Sequence, residues 1–492
     1  MQLKTLVAAI PIRHVIGTLD RTVESIAYDS RRVQWNGLFV ALRGETSDGH
    51  EFIGQAIERG ASVIVTERDE QHSRVTCLPV ENTRNALADL SANFYGDPAR
   101  KLTLAAVTGT NGKTTTTFLI KHICEKAGLR CGLIGTVRYE IGERVLPAIR
   151  TTPESLDLQE LLAQIANAGC RAATMEVSSH ALAQDRTRGL EWDVAVFTNL
   201  TQDHLDFHGT MESYFDSKTK LFAQLGSQEK KLKPLAIVNI DDRYGEQMLN
   251  KIDKRVGVVT YGMSARADFR ASNYRVEFSG TSYQLDARGK SYLVRVPLIG
   301  RFNVANSIAA MAAANALGIS LRNAVLSLSK CPQVPGRLEM VPAKRQFQVF
   351  VDYAHTPDAL QNVLKTLREL EPGRLIVVFG CGGNRDRQKR PLMGEIVDRS
   401  ADYAIITSDN PRKEDPSAII DEIEKGFRSG RYEKVIDRTE AIGRAISLAQ
   451  PRDIVLIAGK GHENYQEFAD HTIPFDDIQV ARRAIEDHPM QF

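Results

Sequence analysis

The chain has 492 residues, with 63 Lys+Arg against 61 Asp+Glu and a net charge of +2; it is 42% hydrophobic, 25% charged and 7% aromatic. An ordinary domain takes roughly 150 residues, so the length predicts about three, and this balance excludes disordered, fibrous and membrane-spanning chains. The near-neutral charge, with one short basic run at Lys230-Lys231-Leu232-Lys233 and no interleaved aromatics, argues against nucleic acid as a main partner.

Short β-branched runs alternate with helical periodicity along most of the chain, which predicts α/β domains with largely parallel sheets. The first block is taken as 1–98. Its apolar start is followed by Pro11, Arg13 and His14 without a small-residue cleavage site, so export is not expected. It predicts a strand over 37–42 and another over 61–66, the second entered from a helix ending at Gly60.

The second block, 99–332, opens with a buried strand over 102–107, then a glycine-rich turn, then a helix with Leu119, Ile120, Ile123, Cys124 and Ala127 on its apolar face. The longest apolar run, 304–319, is broken by Asn306, Ser307 and Asn315 and falls short of the ~18 residues a membrane span needs. Pro332, Pro335 and Gly336 predict a linker. The third block, 333–492, predicts strands over 347–352, 375–379, 403–407 and 454–458 alternating with helices, the first opened by Thr356-Pro357, as in a doubly wound Rossmann-like domain. Six scattered cysteines, none at dithiol or zinc spacing, suggest reduced thiols in a cytosolic protein.

The strongest motif is Thr108-Gly109-Thr110-Asn111-Gly112-Lys113-Thr114-Thr115, between a strand and a helix. That context predicts a phosphate-binding loop: backbone N–H groups cradle phosphates, Lys113 reaches the terminal ones, and Thr114 or Thr115 binds magnesium. The general pattern wants a glycine where Val107 stands, so this is a shorter variant built on Gly109. In the third block, Gly382–Arg387, Asp409–Arg412 and Gly459–Glu463 follow three strands at one sheet edge, where open α/β sheets place ligands. Arg385 and Arg412 offer forks for carboxylates, and Asp409, Asn410 and Glu463 accept ammonium donors. Residue type alone leaves Glu176 open between a site carboxylate and a surface one, His204 between a ligand and a polar loop, and Lys218 between a site lysine and an exposed one.

Gly109–Thr115 resembles the ATP loop of the Mur ligases, the amino-acid-adding enzymes of peptidoglycan synthesis. Other segments resemble that family in order: Asp29-Ser30-Arg31, Met175–His180, Asn199–Asp206, Gly300–Asn306 and Asp352–Pro357. The resemblance implies a cytoplasmic ligase of three domains that bind a UDP-sugar-peptide, ATP and an amino acid. ATP would phosphorylate the peptide carboxylate, and an amine would attack the acyl phosphate. It implies that Glu176 and His204 bind magnesium and that Lys218, in a Tyr-x-x-x-Lys-x-x-Leu-Phe pattern, is carbamylated by carbon dioxide. It further implies UDP-substrate contacts at Ser30, Thr151, Thr152, Ser178, Gln184 and Arg186, and adenine-side contacts at Asn303 and Asn306. Arg150 departs from the family, where relatives carry asparagine, and Glu45-Thr46-Ser47 departs too. Asp409-Asn410-Pro411-Arg412, with Arg385, Gly459 and Glu463, resembles the signature of the members that add meso-2,6-diaminopimelate to UDP-N-acetylmuramoyl-L-alanyl-D-glutamate. Lysine-adding members, folate-polyglutamate ligases and a non-catalytic nucleotide-gated binding protein are the competing expectations.

Overall fold

The computed structural model describes residues 1–44, 47–225, 233–343 and 345–487. Glu45 and Thr46 of the departing segment, and Lys230, Lys231 and Leu232 of the basic run, lie outside the described residues. The protein is α/β, and its strands fall into three main sheets.

The first sheet is parallel, in the order Ser25–Ala27, Gly37–Val40, Ala61–Thr66, Thr76–Pro79. Gly37–Val40 is buried along its whole length because separate apolar clusters cover both faces of the sheet. The helix Ile53–Glu58 hands over to the second of the expected strands through Arg59 and Gly60, whose φ of +103° needs a residue without Cβ.

The central sheet has eleven strands. Its parallel middle runs Gly257–Gly262, Leu235–Asn239, Val194–Phe197, Thr103–Thr108, Ala172–Glu176, Cys131–Ile134. Antiparallel hairpins extend both edges: Arg138–Ile141 with Arg144–Pro147, and Phe269–Glu277, Gly280–Ala287, Lys290–Val296. The largely parallel expectation therefore holds for the middle and not for the edges. One face packs on Lys113–Lys126 and Arg301–Ala316, the other on Ser155–Asn167 and Met211–Ala223. Eleven of the sixteen residues of Arg301–Ala316 are buried, so the longest apolar run is a helix enclosed by protein. Among the described residues no helix is long and apolar enough to cross a membrane. Ala127 is corrected: it caps the helix end and is exposed, not part of the apolar face.

The third sheet runs Glu339–Val341 (antiparallel), Gln348–Asp352, Ile454–Ala458, Leu375–Phe379, Tyr403–Ile406, Tyr432–Lys434, with apolar clusters on both faces, which is doubly wound. Thr356 caps Pro357–Arg368 through the Ala359 N–H, and Leu360, Val363, Leu364 and Leu367 are all buried. The segment expected as a linker is tied down: Val334 is buried, the Gly336 carbonyl accepts from Tyr353 N, and a Cβ on Gly336 would stand 2.2 Å from His462 N. All six cysteines are free and buried.

Candidate active site

The phosphate loop leaves the strand Thr103–Thr108 and enters Lys113–Lys126. Gly109 and Gly112 have φ of +148° and +85°, and side chains there would strike Thr198 and Asn306. Asn306, in the second turn of its helix, stands against Gly112 of the loop and donates to Asn303 Oδ1 at 3.1 Å, while Asn303 donates to Ile299 O at 2.9 Å. Lys113 Nζ folds back to the carbonyls of Gly109 (2.9 Å) and Thr110 (2.8 Å). Lys218, 1% exposed, also donates to Gly109 O at 3.0 Å and stands 4.5 Å above the Tyr214 ring. Burial, and then the charge of Lys113, push the Lys218 amine well below the ordinary lysine range. Burial lowers Lys113 as well, with Glu176 and Asp203 opposing.

Glu176 ends the strand Ala172–Glu176, beside the loop strand, and is 1% exposed. Its carboxylate accepts from Thr136 N (2.8 Å), Thr136 Oγ1 (3.0 Å) and Thr114 Oγ1 (3.0 Å). Thr115 is buried in the same first turn. His204 opens the short helix Leu205–His208 with φ +54°; its Nε2 is 3.3 Å from Asp203 Oδ2, and its ring packs 4.7 Å from His180. Burial lowers His204 to about 4, against the pull of Asp203, so its imidazole is neutral at pH 7 and able to donate a lone pair.

These groups fit magnesium. Around Glu176 stand two threonine hydroxyls and one backbone N–H, and a Cβ at Gly135 would stand 2.5 Å from Glu176 Oε1, so the carboxylate is seated closely. Among the described residues no three His, Cys, Asp or Glu side chains converge. One carboxylate with hydroxyls, completed by phosphate oxygens, suits a small hard cation better than a soft one.

A polar ridge continues from Glu176. Thr136 Oγ1 lies 3.0 Å from Thr151 Oγ1, and Thr152 Oγ1 donates to Glu176 O (2.8 Å) while accepting from Ser178 N (3.0 Å). Arg186 donates to Thr152 O (3.0 Å) and Gln184 Oε1 (2.5 Å), and its Nε pairs with Glu154 at 2.8 Å. Arg186, expected as a UDP-substrate contact, is thus engaged on its own chain. Arg150 joins Glu154 too, at 3.4 Å. Ser30 stands apart: its hydroxyl donates to Gln55 at 2.5 Å within the first sheet's domain.

The three loops of the third sheet meet. A Cβ on Gly383 would stand 1.8 Å from Pro411 O, and one on Gly459 would stand 3.1 Å from Asp409 Oδ2. Arg412, at φ +52°, donates to Glu467 Oε2 (2.8 Å) and Gly383 O (3.0 Å). Asn410 Nδ2 donates to Glu463 Oε2 at 2.8 Å. Burial raises the Glu463 carboxyl, with Lys460 opposing. Arg385 is exposed on the rim, donating to Asn384 O.

Sequence reasoning missed four residues here. Arg337 reaches across from the third domain to Thr114 Oγ1 at 2.9 Å, and Asp358 accepts from Asn111 Nδ2 at 2.9 Å and Thr201 Oγ1 at 3.1 Å. Thr136 holds Glu176, and Lys460 lies buried among Asn410, Glu463 and Asp409. Arg337 and Asp358 each lie beside a segment singled out for other reasons, and that adjacency was the only local signal.

Three family models match in succession: Mur ligase family, catalytic domain, over 22–95; Mur ligase middle domain, over 107–314; and Mur ligase, glutamate ligase domain, over 336–461. Curated relatives named UDP-N-acetylmuramoyl-L-alanyl-D-glutamate–2,6-diaminopimelate ligase include one from Clostridium tetani, 44% identical and covering 99% of this chain and 100% of its own. Another, from Geobacillus thermodenitrificans, is 46% identical over 99% of this chain and 100% of its own. A solved structure of an enzyme of that name is 34% identical, covers 99% of both chains and superposes with a TM-score of 0.70. The chain belongs to the Mur ligase family.

Proposed function

We propose that the protein is an ATP-dependent amide ligase that adds meso-2,6-diaminopimelate to UDP-N-acetylmuramoyl-L-alanyl-D-glutamate in peptidoglycan synthesis, working in the cytoplasm. The observation that carries this reading is the bridging of two sheet-edge sites: Arg337 and Asp358 of the third domain bond the phosphate loop of the second. Residues 1–98 take the UDP-sugar, 99–332 take ATP, and 333–492 take the amino acid. Six buried free thiols suit a reducing compartment.

A carboxylate is a poor electrophile, so its oxygen first accepts the γ-phosphoryl group of ATP, releasing ADP. The amine then attacks the carbonyl carbon, phosphate leaves with the C–O electron pair, and the amine loses a proton. Gly109, Thr110, Asn111 and Gly112 cradle the phosphates, and Lys113 turns from its loop carbonyls to the γ-phosphoryl oxygens, where Arg337 adds a second positive charge. Asn303 and Asn306 back the nucleotide. In its neutral form, which burial favours, the Lys218 amine would add carbon dioxide and shed a proton to become a carbamate. Glu176, His204, Thr114 or Thr115 and that carbamate would hold magnesium, which would supply positive charge near the phosphates. Ser30, Thr151, Thr152, Ser178, Gln184 and Arg186 orient the UDP-dipeptide. Arg385, Asp409, Asn410, Pro411, Arg412, Gly459 and Glu463 orient diaminopimelate.

The test is phosphate release by the purified protein, with diaminopimelate and lysine in competition. Release should require ATP, UDP-dipeptide and diaminopimelate together. Release with lysine in preference would replace the substrate, and ATP binding without release under any combination would replace the enzyme with a nucleotide-gated binder.

A further inference from the structure

We propose that Lys460 is the positioning residue of the amino-acid crevice. Its buried ammonium fixes Asn410 and Glu463 and cancels one of two carboxylate charges, so that the crevice takes a ligand end bearing one ammonium together with a carboxylate. The proposal rests on the reading that this crevice binds diaminopimelate.

Lys460 follows the strand Ile454–Ala458 between two glycines at positive φ, +117° at Gly459 and +54° at Gly461. A Cβ on Gly461 would stand 2.7 Å from that of Tyr353, so the loop turns back tightly, and Lys460 is left 0% exposed. Its Nζ donates to Asn410 Oδ1 (2.9 Å) and Glu463 Oε2 (3.2 Å), and stands 3.5 Å from Asp409 Oδ1. Asn410 Oδ1 also accepts from Glu467 N at 3.0 Å, and with two donors on that oxygen the amide has a single orientation, which aims Nδ2 at Glu463. Lys460 thus sets both neighbours.

The charge balance follows. Around this cluster the other ions are already paired, Arg412 with Glu467 and Arg438 with Asp477, each at 2.8 Å. That leaves the carboxylates of Asp409 and Glu463 against one ammonium, so one negative charge has no partner of its own. Asp409 Oδ1 is buried and accepts no hydrogen bond. A buried acceptor in that state is completed by a donor from the ligand, and a ligand ammonium supplies both the bond and the charge. Arg412, on the same loop, can exchange Glu467 for the ligand carboxylate. Without Lys460 the crevice holds two uncompensated carboxylates, and it then favours a ligand end that is cationic over one that is zwitterionic.

The experiment compares kcat/KM for diaminopimelate and lysine in the full-length protein at saturating ATP and UDP-dipeptide. In Lys460→Met, diaminopimelate should lose roughly 100-fold, chiefly through KM, and lysine less than about 10-fold, so that the ratio between them falls at least about 10-fold. The KM for ATP should stay within about twofold, since the phosphate loop bonds none of these groups. Lys460→Met/Asp409→Asn restores the original charge balance and should recover part of the ratio. If the Met variant does not fold by circular dichroism, Lys460→Gln, which keeps a donor without a charge, replaces it with the same expected fall in ratio. Equal losses for both amino acids, or no loss for either, overturn the proposal. Wild-type protein that does not ligate diaminopimelate overturns the underlying reading instead, a result separate from an active wild type with an unchanged ratio in the variants.

Discussion

The two sites lie at the same kind of place, the carboxyl edge of a parallel sheet, and treat charge in opposite ways. Around the phosphate loop, Lys113, Lys218 and Arg337 rest on carbonyl or hydroxyl oxygens, and among the described residues none of the three has a carboxylate within ion-pair distance. In the amino-acid crevice the inner cations are paired: Arg412 with Glu467, Lys460 with Glu463, and, deeper, Arg438 with Asp477 and Arg390 with Glu414 and Glu422. Lys113 and Arg337, cations without a carboxylate partner, await a polyanion, whereas paired charge awaits a zwitterion that exchanges partners with it. Substitutions in the first site should therefore cost rate, and substitutions in the second should cost discrimination.

The largest effect is expected at Lys218. Lys218→Ala should lower ligation by about 1,000-fold or more while leaving the circular dichroism unchanged, because the loop keeps its other bonds but loses the amine proposed to become a carbamate. Millimolar short-chain carboxylic acids should restore part of the activity. Wild-type turnover by the alanine variant without additive would remove Lys218 from the chemistry. Next comes Arg337→Ala, with a loss of roughly 100-fold carried by kcat more than by the KM for ATP, since a cation aimed at the transferring phosphoryl group acts in the transition state. A loss carried by KM alone would make Arg337 a ground-state clamp.

The second site is sharpened by Arg412. Its fork is held by Glu467 and Gly383 O, so a ligand carboxylate must take it over. Arg412→Ala should reduce diaminopimelate kcat/KM roughly 10-fold more than that of lysine, because only diaminopimelate has a distal carboxylate to take the fork over from Glu467. Arg412→Lys keeps the sign and loses the fork, and should also hurt diaminopimelate sharply. An unchanged ratio in both variants would place discrimination elsewhere in the crevice.

How much of this was legible follows from where each signal resides. The phosphate loop is local: two glycines, a lysine and a strand-to-helix junction occupy nine consecutive residues, and the chain folds as they imply. The three crevice loops were legible because each follows a largely buried apolar strand, and parallel strands deliver their ends to one edge. Arg337 and Asp358 were not, because their bonds to Thr114 and Asn111 span 223 and 247 residues and no periodicity encodes such a contact. Lys460 stood in view inside Gly459–Glu463, yet its burial depends on Asp409 and Asn410 arriving from another strand. The edge hairpins carry ordinary turn signals in Gly142 and Gly289, but hairpins that extend a parallel sheet leave no mark on the strands they join.

The smallest effect tests whether the charge of Arg337 is as free as the comparison requires. Asp352 ends the strand Gln348–Asp352, and its carboxylate accepts Leu338 N at 2.5 Å and Ala354 N at 2.8 Å. Burial raises its pKa to about 6 from 3.8, while the Arg337 charge and the two N–H groups pull the other way. A close pair with Arg337 would hold the carboxyl lower; the guanidinium instead donates to Thr114 Oγ1 at 2.9 Å. The folded protein then keeps a proton on Asp352 at pH values where the unfolded chain has released it. The resulting stability is fully present below the unfolded value and is lost as pH rises through about 6. Compared with Asp352→Asn, wild type should gain about 3 kcal/mol on going from pH 7 to pH 3.5, measured by urea unfolding at each pH. Arg337→Ala should move the midpoint of that gain upward. A difference between wild type and Asp352→Asn that stays flat across this range would mean that Asp352 titrates at an ordinary value with Arg337 as its partner, and the positive charge at the phosphate loop would then rest on Lys113.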